Sequence, residues 1–248
     1  MTASFPNSVK SFGSDRVNGD YIPASDMNDV RAEVVALETA ALAGWFTQTE
    51  TWTYASASSF TVAGDRTAFY TKGRRIKWTH ATVFRYGVIS SSSYGAPNTT
   101  VTILVNNDYV ISNSTIITPA VSDLDNPIGF PDWFSWIPSY SASGAMTYTA
   151  VTTQLAKYRV TGRCCQFMFR SSGTLGGVAG NAVYVTCPVT PIAITGQYLA
   201  FAASNSETTL GTGTVDTVTP RFMVQRTDVA NFSLAAGKVV NGQGMYEW

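Results

Sequence analysis

Apolar residues in this chain recur with two different periods, and the change of period divides it. Over residues 25–43, SDMNDVRAEVVALETAALA, the residues Met27, Val30, Val34, Leu37 and Ala41 follow one another at intervals of 3, 4, 3 and 4. That spacing lays them along one stripe of an α-helix and has the a/d form of a coiled-coil seam. Ser25 or Asp26 can cap the start, and Asp26 and Asp29 lie at the positive end of the helix dipole. Gly44 ends the helix, while Arg31, Glu33 and Glu38 stay off the stripe. A helix of about two heptads does not hold in water unaided. The stripe therefore needs a cover, either the chain's own β domain or the same stripe in sister copies. Three copies held together by neighbouring β domains would form a short trimeric coiled coil with Met27, Val30, Val34, Leu37 and Ala41 at its interface.

After Trp45 the period shortens to two. SSFTVAG, TAFYT, RRIKWTHATVFRYGVIS, TTVTILV and DYVISNSTI alternate or are β-branched. Gly64-Asp65, Lys72-Gly73, Tyr94-Gly95-Ala96-Pro97-Asn98 and Asn106-Asn107-Asp108 supply turns between them. Residues 45–118 thus read as a first antiparallel β domain. Residues 119–145 hold four prolines and two glycines among Phe130, Trp133, Phe134, Trp136 and Tyr140, which excludes a central strand and predicts an aromatic linker. MTYTAV, KYRVTG, CCQFMFRS, NAVYVTC, QYLAFAAS, VDTVTPRFMVQRT and the closing GQGMYEW fill residues 146–248. They predict a second β domain, a jelly-roll-like sandwich. The fold class expected is mainly β: a short N-terminal helix (25–44), coiled-coil-like, then two antiparallel β domains.

Residues 1–24 have no period. Isolated anchors at Phe5, Val9, Phe12, Val17 and Ile22 stand among Pro, Asn and Ser, too few for a core. Such an arm is either a disordered tail or a segment that orders on docking to another surface through Phe5, Val9 and Phe12.

Composition narrows the function more than the fold. Charged residues make up 13% of the chain, aromatics 12%, and the formal net charge is zero. A nucleic-acid partner is not expected, because phosphate binding draws on a basic surplus. The most basic stretch, Lys72 to Lys77, reads as a solvated or interface strand. No membrane partner is expected either, since no apolar run approaches 18 residues. MTASFPNSVKSFG lacks the basic-then-apolar form of a signal peptide, which points to assembly in a cytosol. Cys164, Cys165 and Cys187 form an odd, partly adjacent set, so reduced thiols are expected.

Catalytic chemistry is sparse. His80, the single histidine, sits in the strand pattern IKWTHATVF, with no Gly-x-Ser-x-Gly elbow in the chain. One histidine and scattered cysteines give no metal-ligand spacing, and GTLGGVAGN lacks the Lys-Ser/Thr ending of a phosphate loop. No enzyme activity, metal or cofactor is expected. Asp123, Asp125 and Asp132 lie near Trp133, Phe134 and Trp136, the ingredients of glycoside cleavage. The chain lacks the long β-helix period of enzymes that degrade surface polysaccharide. Glycan binding without cleavage remains open, with Trp133, Trp136 and Tyr140 offering ring faces to sugars. The competing reading packs the same rings at a domain or subunit seam. The segment ASNSETTLGTG (203–213) has the form of a recognition loop.

MNDVRAEVVALETAA, FTVAGDRTAFYTKGRRIKW, YGVISSSSYGAPNTTVTILVNNDYVISNSTI and NPIGFPDWFSW, followed by a Gly/Ser/Thr-rich β region ending in an aromatic strand, resemble virion proteins of tailed bacteriophages. The likeness covers most of residues 20–248, and the family comprises tail, neck and head-fibre proteins. The resemblance implies a trimeric component of the virion. Joined to the readings of the arm and of the sparse chemistry above, it leads to the expectation of a non-enzymatic homotrimer anchored by its N-terminus to other virion proteins (portal, neck, tail or capsid). A receptor-binding adhesin for bacterial surface glycan and a head decoration protein are the alternatives it leaves open.

Overall fold

The computed structural model describes residues 24–192, 202–205, 211–216, 220–226 and 230–248. It is mainly β, with one N-terminal helix, α1 (Ala24–Ala43), among the described residues. No described helix is long and apolar enough to cross a membrane. The chain divides into two compact units, Met1–Pro131 and Asp132–Trp248.

The first unit contains β1 (Phe46–Thr47), β2 (Thr53–Ser56), β3 (Ser59–Ala63), β4 (Arg75–His80), β5 (Val83–Gly95), β6 (Asn98–Val105) and β7 (Ile117–Ser122). They form one antiparallel sheet in the order β1-β7-β4-β5-β6-β3-β2. The alternation in TTVTILV sends Val101 and Ile103 inward, where they meet Trp52, Phe60, Tyr70, Ile76 and Trp78. Trp52 stacks on Phe60 at 4.1 Å, and Tyr70 presents its edge to both rings. The polar atoms in this core are paired: Trp52 Nε1 donates to the Tyr70 hydroxyl at 2.8 Å, and that hydroxyl donates to Glu50. Asp65 turns the chain as its position predicts, its Oδ1 accepting from Thr67 Oγ1 at 2.7 Å and Thr67 N at 3.1 Å. Those bonds hold its pKa below the usual carboxylate range.

Two expectations for this unit change. DYVISNSTI, expected as a strand, is a 3-10 turn over Asn107–Tyr109 followed by irregular chain up to β7. Asn106 starts the turn by accepting from Tyr109 N at 2.8 Å, and Ser112 accepts from Ser114 N at 2.7 Å, so local polar bonding overrides the β-branched residues. The basic stretch, expected as solvated or interfacial, is partly interior. Arg75 is only 1% exposed and donates from Nη2 to Asp125 Oδ1 at 2.9 Å, from Nε to Asp125 O at 3.0 Å and from Nη1 to Gly73 O at 2.8 Å. Arg74 forms a two-pronged pair with Asp123 at 2.8 and 2.9 Å. The acids come from a segment some fifty residues downstream, which neutralises the basic strand and closes over it. Beside them Trp45, Tyr86, Tyr109 and Phe130 form a second aromatic cluster, with the Lys77 ammonium 4.8 Å from the Trp45 ring.

Residues 119–145 are not one linker. Pro119 to Ser122 lie in β7, residues 123–131 complete the first unit, and residues 132–145 supply two strands of the second.

The second unit holds β8 (Phe134–Ser135), β9 (Tyr140–Ala142), β10 (Met146–Thr161), β11 (Cys164–Gly177), β12 (Ala182–Thr186), β13 (Ala202–Asn205), β14 (Gly211–Asp216), β15 (Arg221–Arg226) and β16 (Lys238–Glu247). All pair antiparallel in the order β8-β10-β11-β16-β13-β14-β15-β12-β9. VDTVTPRFMVQRT is two strands rather than one, since Pro220 precedes β15. The longest hairpin, β10–β11, turns through Gly162 (φ +55°) and Arg163, with glycine at the position a tight two-residue turn reserves for it. Inward residues of β10, β11 and β16 are Tyr158, Val160, Cys165, Phe167, Phe169 and Tyr246, all buried. Phe167 stacks at 3.8 Å on Phe222 of β15, although β16, β13 and β14 lie between those strands in the sheet. The sheet therefore bends back over itself around this aromatic stack.

Candidate functional site

The helix begins and ends within a residue of its expected bounds. Gly44 takes φ +69° and donates its N–H to Ala40 O at 2.7 Å. A Cβ at Gly44 would lie 2.7 Å from Leu124 Cδ1, so no larger residue closes the helix without displacing its neighbour. Ile128 N donates to Ala43 O at 3.1 Å and satisfies a terminal carbonyl. The stripe foreseen as an interface stands open: Met27 is 58% exposed, Val30 42%, Val34 47% and Leu37 50%, and Ala41 is exposed as well. The covered side of the helix lies elsewhere, at Asp29 and Ala40. No described sheet face packs on the row. Phe5, Val9 and Phe12, foreseen as docking anchors, lie outside the described residues, as does much of the 203–213 loop.

The aromatic run 133–140 does not form one platform. In extended chain successive side chains alternate, so Trp133 and Ser135 face outward while Phe134 and Trp136 turn in. Phe134 and Trp136 are buried against Tyr158, at centroid distances of 5.6 and 6.3 Å. Tyr140 meets Tyr148 edge-on at 5.8 Å and shares a 3.0 Å hydrogen bond with Thr153 Oγ1. Trp133 is half-buried on the outer sheet face. The Arg159 guanidinium lies 5.0 Å from its ring centroid, and Arg159 Nε donates to Gln166 Oε1 at 2.6 Å. Sequence reasoning named Trp133 but missed Arg159 and Gln166. The register Arg159↔Gln166 across the β10–β11 hairpin brings them together.

The remaining reactive groups are dispersed. His80 ends β4 and shares a 3.0 Å hydrogen bond between Nδ1 and Ser114 Oγ, with no carboxylate or thiol in that bond. Cys164 and Cys165 point to opposite faces of β11, as adjacent strand residues must, and the three cysteines are free thiols. Burial pushes the Cys165 thiol up to about 12 and raises Tyr158 and Tyr246 above the ordinary phenol range. Burial also lowers the Lys77 ammonium. The largest cause of each shift is desolvation inside packed β-sheets. Asp123 and Asp125 are taken up by Arg74 and Arg75.

No family model, curated protein or solved structure matches the chain. Function therefore has to be argued from the helix stripe and the outer face around Trp133.

Proposed function

We propose that the chain is a non-enzymatic structural subunit of a tailed-phage particle: a homotrimeric fibre or appendage held to the virion by its N-terminal arm. One observation carries the self-association. The helix holds Met27, Val30, Val34, Leu37 and Ala41 in a heptad row, and that row is left uncovered. A solvent-facing apolar seam of this length gains stability when identical seams meet. The count of three and the place on the particle rest on the resemblance of residues 20–248 to phage appendage proteins. In this reading Phe5, Val9 and Phe12 dock to a portal, neck, tail or capsid protein after assembly in the bacterial cytoplasm. The second unit is read as a jelly-roll-like sandwich, supported by the Phe167–Phe222 stack between facing parts of one folded sheet.

Immunogold labelling of intact phage particles, with antibody raised to the purified protein, tests the placement. Label at a fixed point on the particle is expected; particles that carry none overturn the reading. A second role, adhesion to a host-surface glycan, is favoured by the groove that Trp133 lines and is compatible with the first.

A further inference from the structure

Across the outer face of the second unit, register aligns two rows of side chains. Arg159, Gln166 and Met245 form one, and Lys157, Met168 and Gln243 the next. Trp133 precedes β8, whose Phe134 pairs with Tyr158, so its indole stands at the end of the first row. Trp133, Gln166, Met168, Gln243 and Met245 enclose an open groove of about 370 Å³. One wall is an indole, the floor is two thioethers, and two primary amides sit where they can exchange hydrogen bonds with hydroxyl groups.

Among the described residues, exposed cations outnumber the acids beside this groove. Lys157 and Arg170 are exposed and make no hydrogen bond or ion pair among the described residues. Arg159 spends only its Nε, on Gln166, and both terminal amino groups stay available. Of the acids close by, Asp132 precedes Trp133 and is exposed, and Glu247 is paired with Arg163 at 2.8 Å. The chain as a whole carries no net charge, so these cations are a local feature rather than a basic surface. Arg159 is also placed in advance, stacked on Trp133 and anchored to Gln166, which lowers the ordering cost of binding an anion.

We infer that this groove binds a carboxylated saccharide: a pyranose C–H face lies on Trp133, its hydroxyls meet the Gln166 and Gln243 amides, and its carboxylate meets Arg159. Indole, paired amides and a guanidinium match the apolar face, hydroxyls and acid group of a uronic- or sialic-type sugar. The inference deepens the adhesion role and is independent of trimer assembly.

The full-length protein is applied to an array of oligosaccharides carrying uronic or sialic acid, with neutral counterparts and a ten-residue oligothymidylate as a purely anionic control. Acidic sugars are expected to bind at least tenfold better than neutral ones. Trp133→Ala and Gln243→Leu should each lower that binding tenfold or more. Gln243 is exposed, so its replacement leaves the fold intact and covers the case in which Trp133→Ala fails to fold. Three results overturn the inference: no acidic sugar bound above background, equal binding of neutral sugars or oligothymidylate, or acidic-sugar binding unchanged in Gln243→Leu. Mass measured on the same sample separates the two readings. A trimer that ignores acidic sugars sinks only the groove, and a monomer that binds them sinks only the assembly.

Discussion

Replacing Val34 by aspartate separates an interface stripe from an ordinary exposed helix face. Val34 is 47% exposed in the single chain, so association can bury about half of its side chain. That is worth about 1 kcal/mol per copy. Aspartate forfeits this and brings like charges together inside an apolar seam, a penalty of about 3–5 kcal/mol for an uncompensated buried charge. In the isolated chain the same change at an exposed helical position costs only a few tenths of a kcal/mol. A loss of about 4 kcal/mol in association corresponds to a roughly thousand-fold weaker complex. Sedimentation velocity at micromolar concentration should show Val34→Asp falling to the single-chain mass with an unchanged β-type circular dichroism spectrum. Val35→Asp makes the same chemical change at a position 52% exposed but off the stripe, and should leave the mass as in the wild type. An assembled Val34→Asp, or equal dissociation of both variants, would refute the reasoning.

Three other substitutions or probes report on the β units. Ala81 and Thr82 turn the β4–β5 hairpin with φ +45° and +74°, a conformation costly for a β-branched residue, so Thr82→Gly should stabilise by about 1 kcal/mol and raise the melting temperature by about 2–4 °C. Unchanged or lower melting would mean that the turn is not strained. Asp125→Ala removes the carboxylate from buried Arg75 but leaves its two carbonyl bonds, so a loss of about 1–2 kcal/mol in urea unfolding is expected, and no loss would show that the carbonyls suffice. With its thiol buried and its pKa pushed up to about 12, Cys165 should resist alkylation at pH 8 until the chain unfolds, as mass spectrometry of the labelled peptides would show. Rapid labelling in the folded protein would contradict that packing.

Local features were legible in the sequence because local chemistry sets them. The 3-4 spacing marked α1, Gly44 marked its end, Asp65 and Gly73 marked turns, and the alternation of TTVTILV marked β6 and its inward face. What the residues did not disclose depended on distant partners. Nothing in RRIK announces that Asp123 and Asp125 will pair with it, so a strand whose arginines are covered reads as a solvated one. The groove needs Trp133 to meet a hairpin more than twenty residues downstream, and only the Arg159↔Gln166 register puts the third component beside it. One separation was available from spacing alone. Trp133 and Trp136 are three residues apart, which in extended chain places them on opposite faces, and Trp136 is buried at 9% exposure while Trp133 is half-buried. The bending of the second sheet, seen in Phe167 on Phe222, joins strands that no local pattern links.

The mass of the native wild-type chain in dilute solution bears most directly on this account. Sedimentation equilibrium of the full-length protein at micromolar concentration should return three times the chain mass of 26.6 kDa. A stable single-chain species at that concentration, with Met27, Val30, Val34 and Leu37 still open to water, would contradict it.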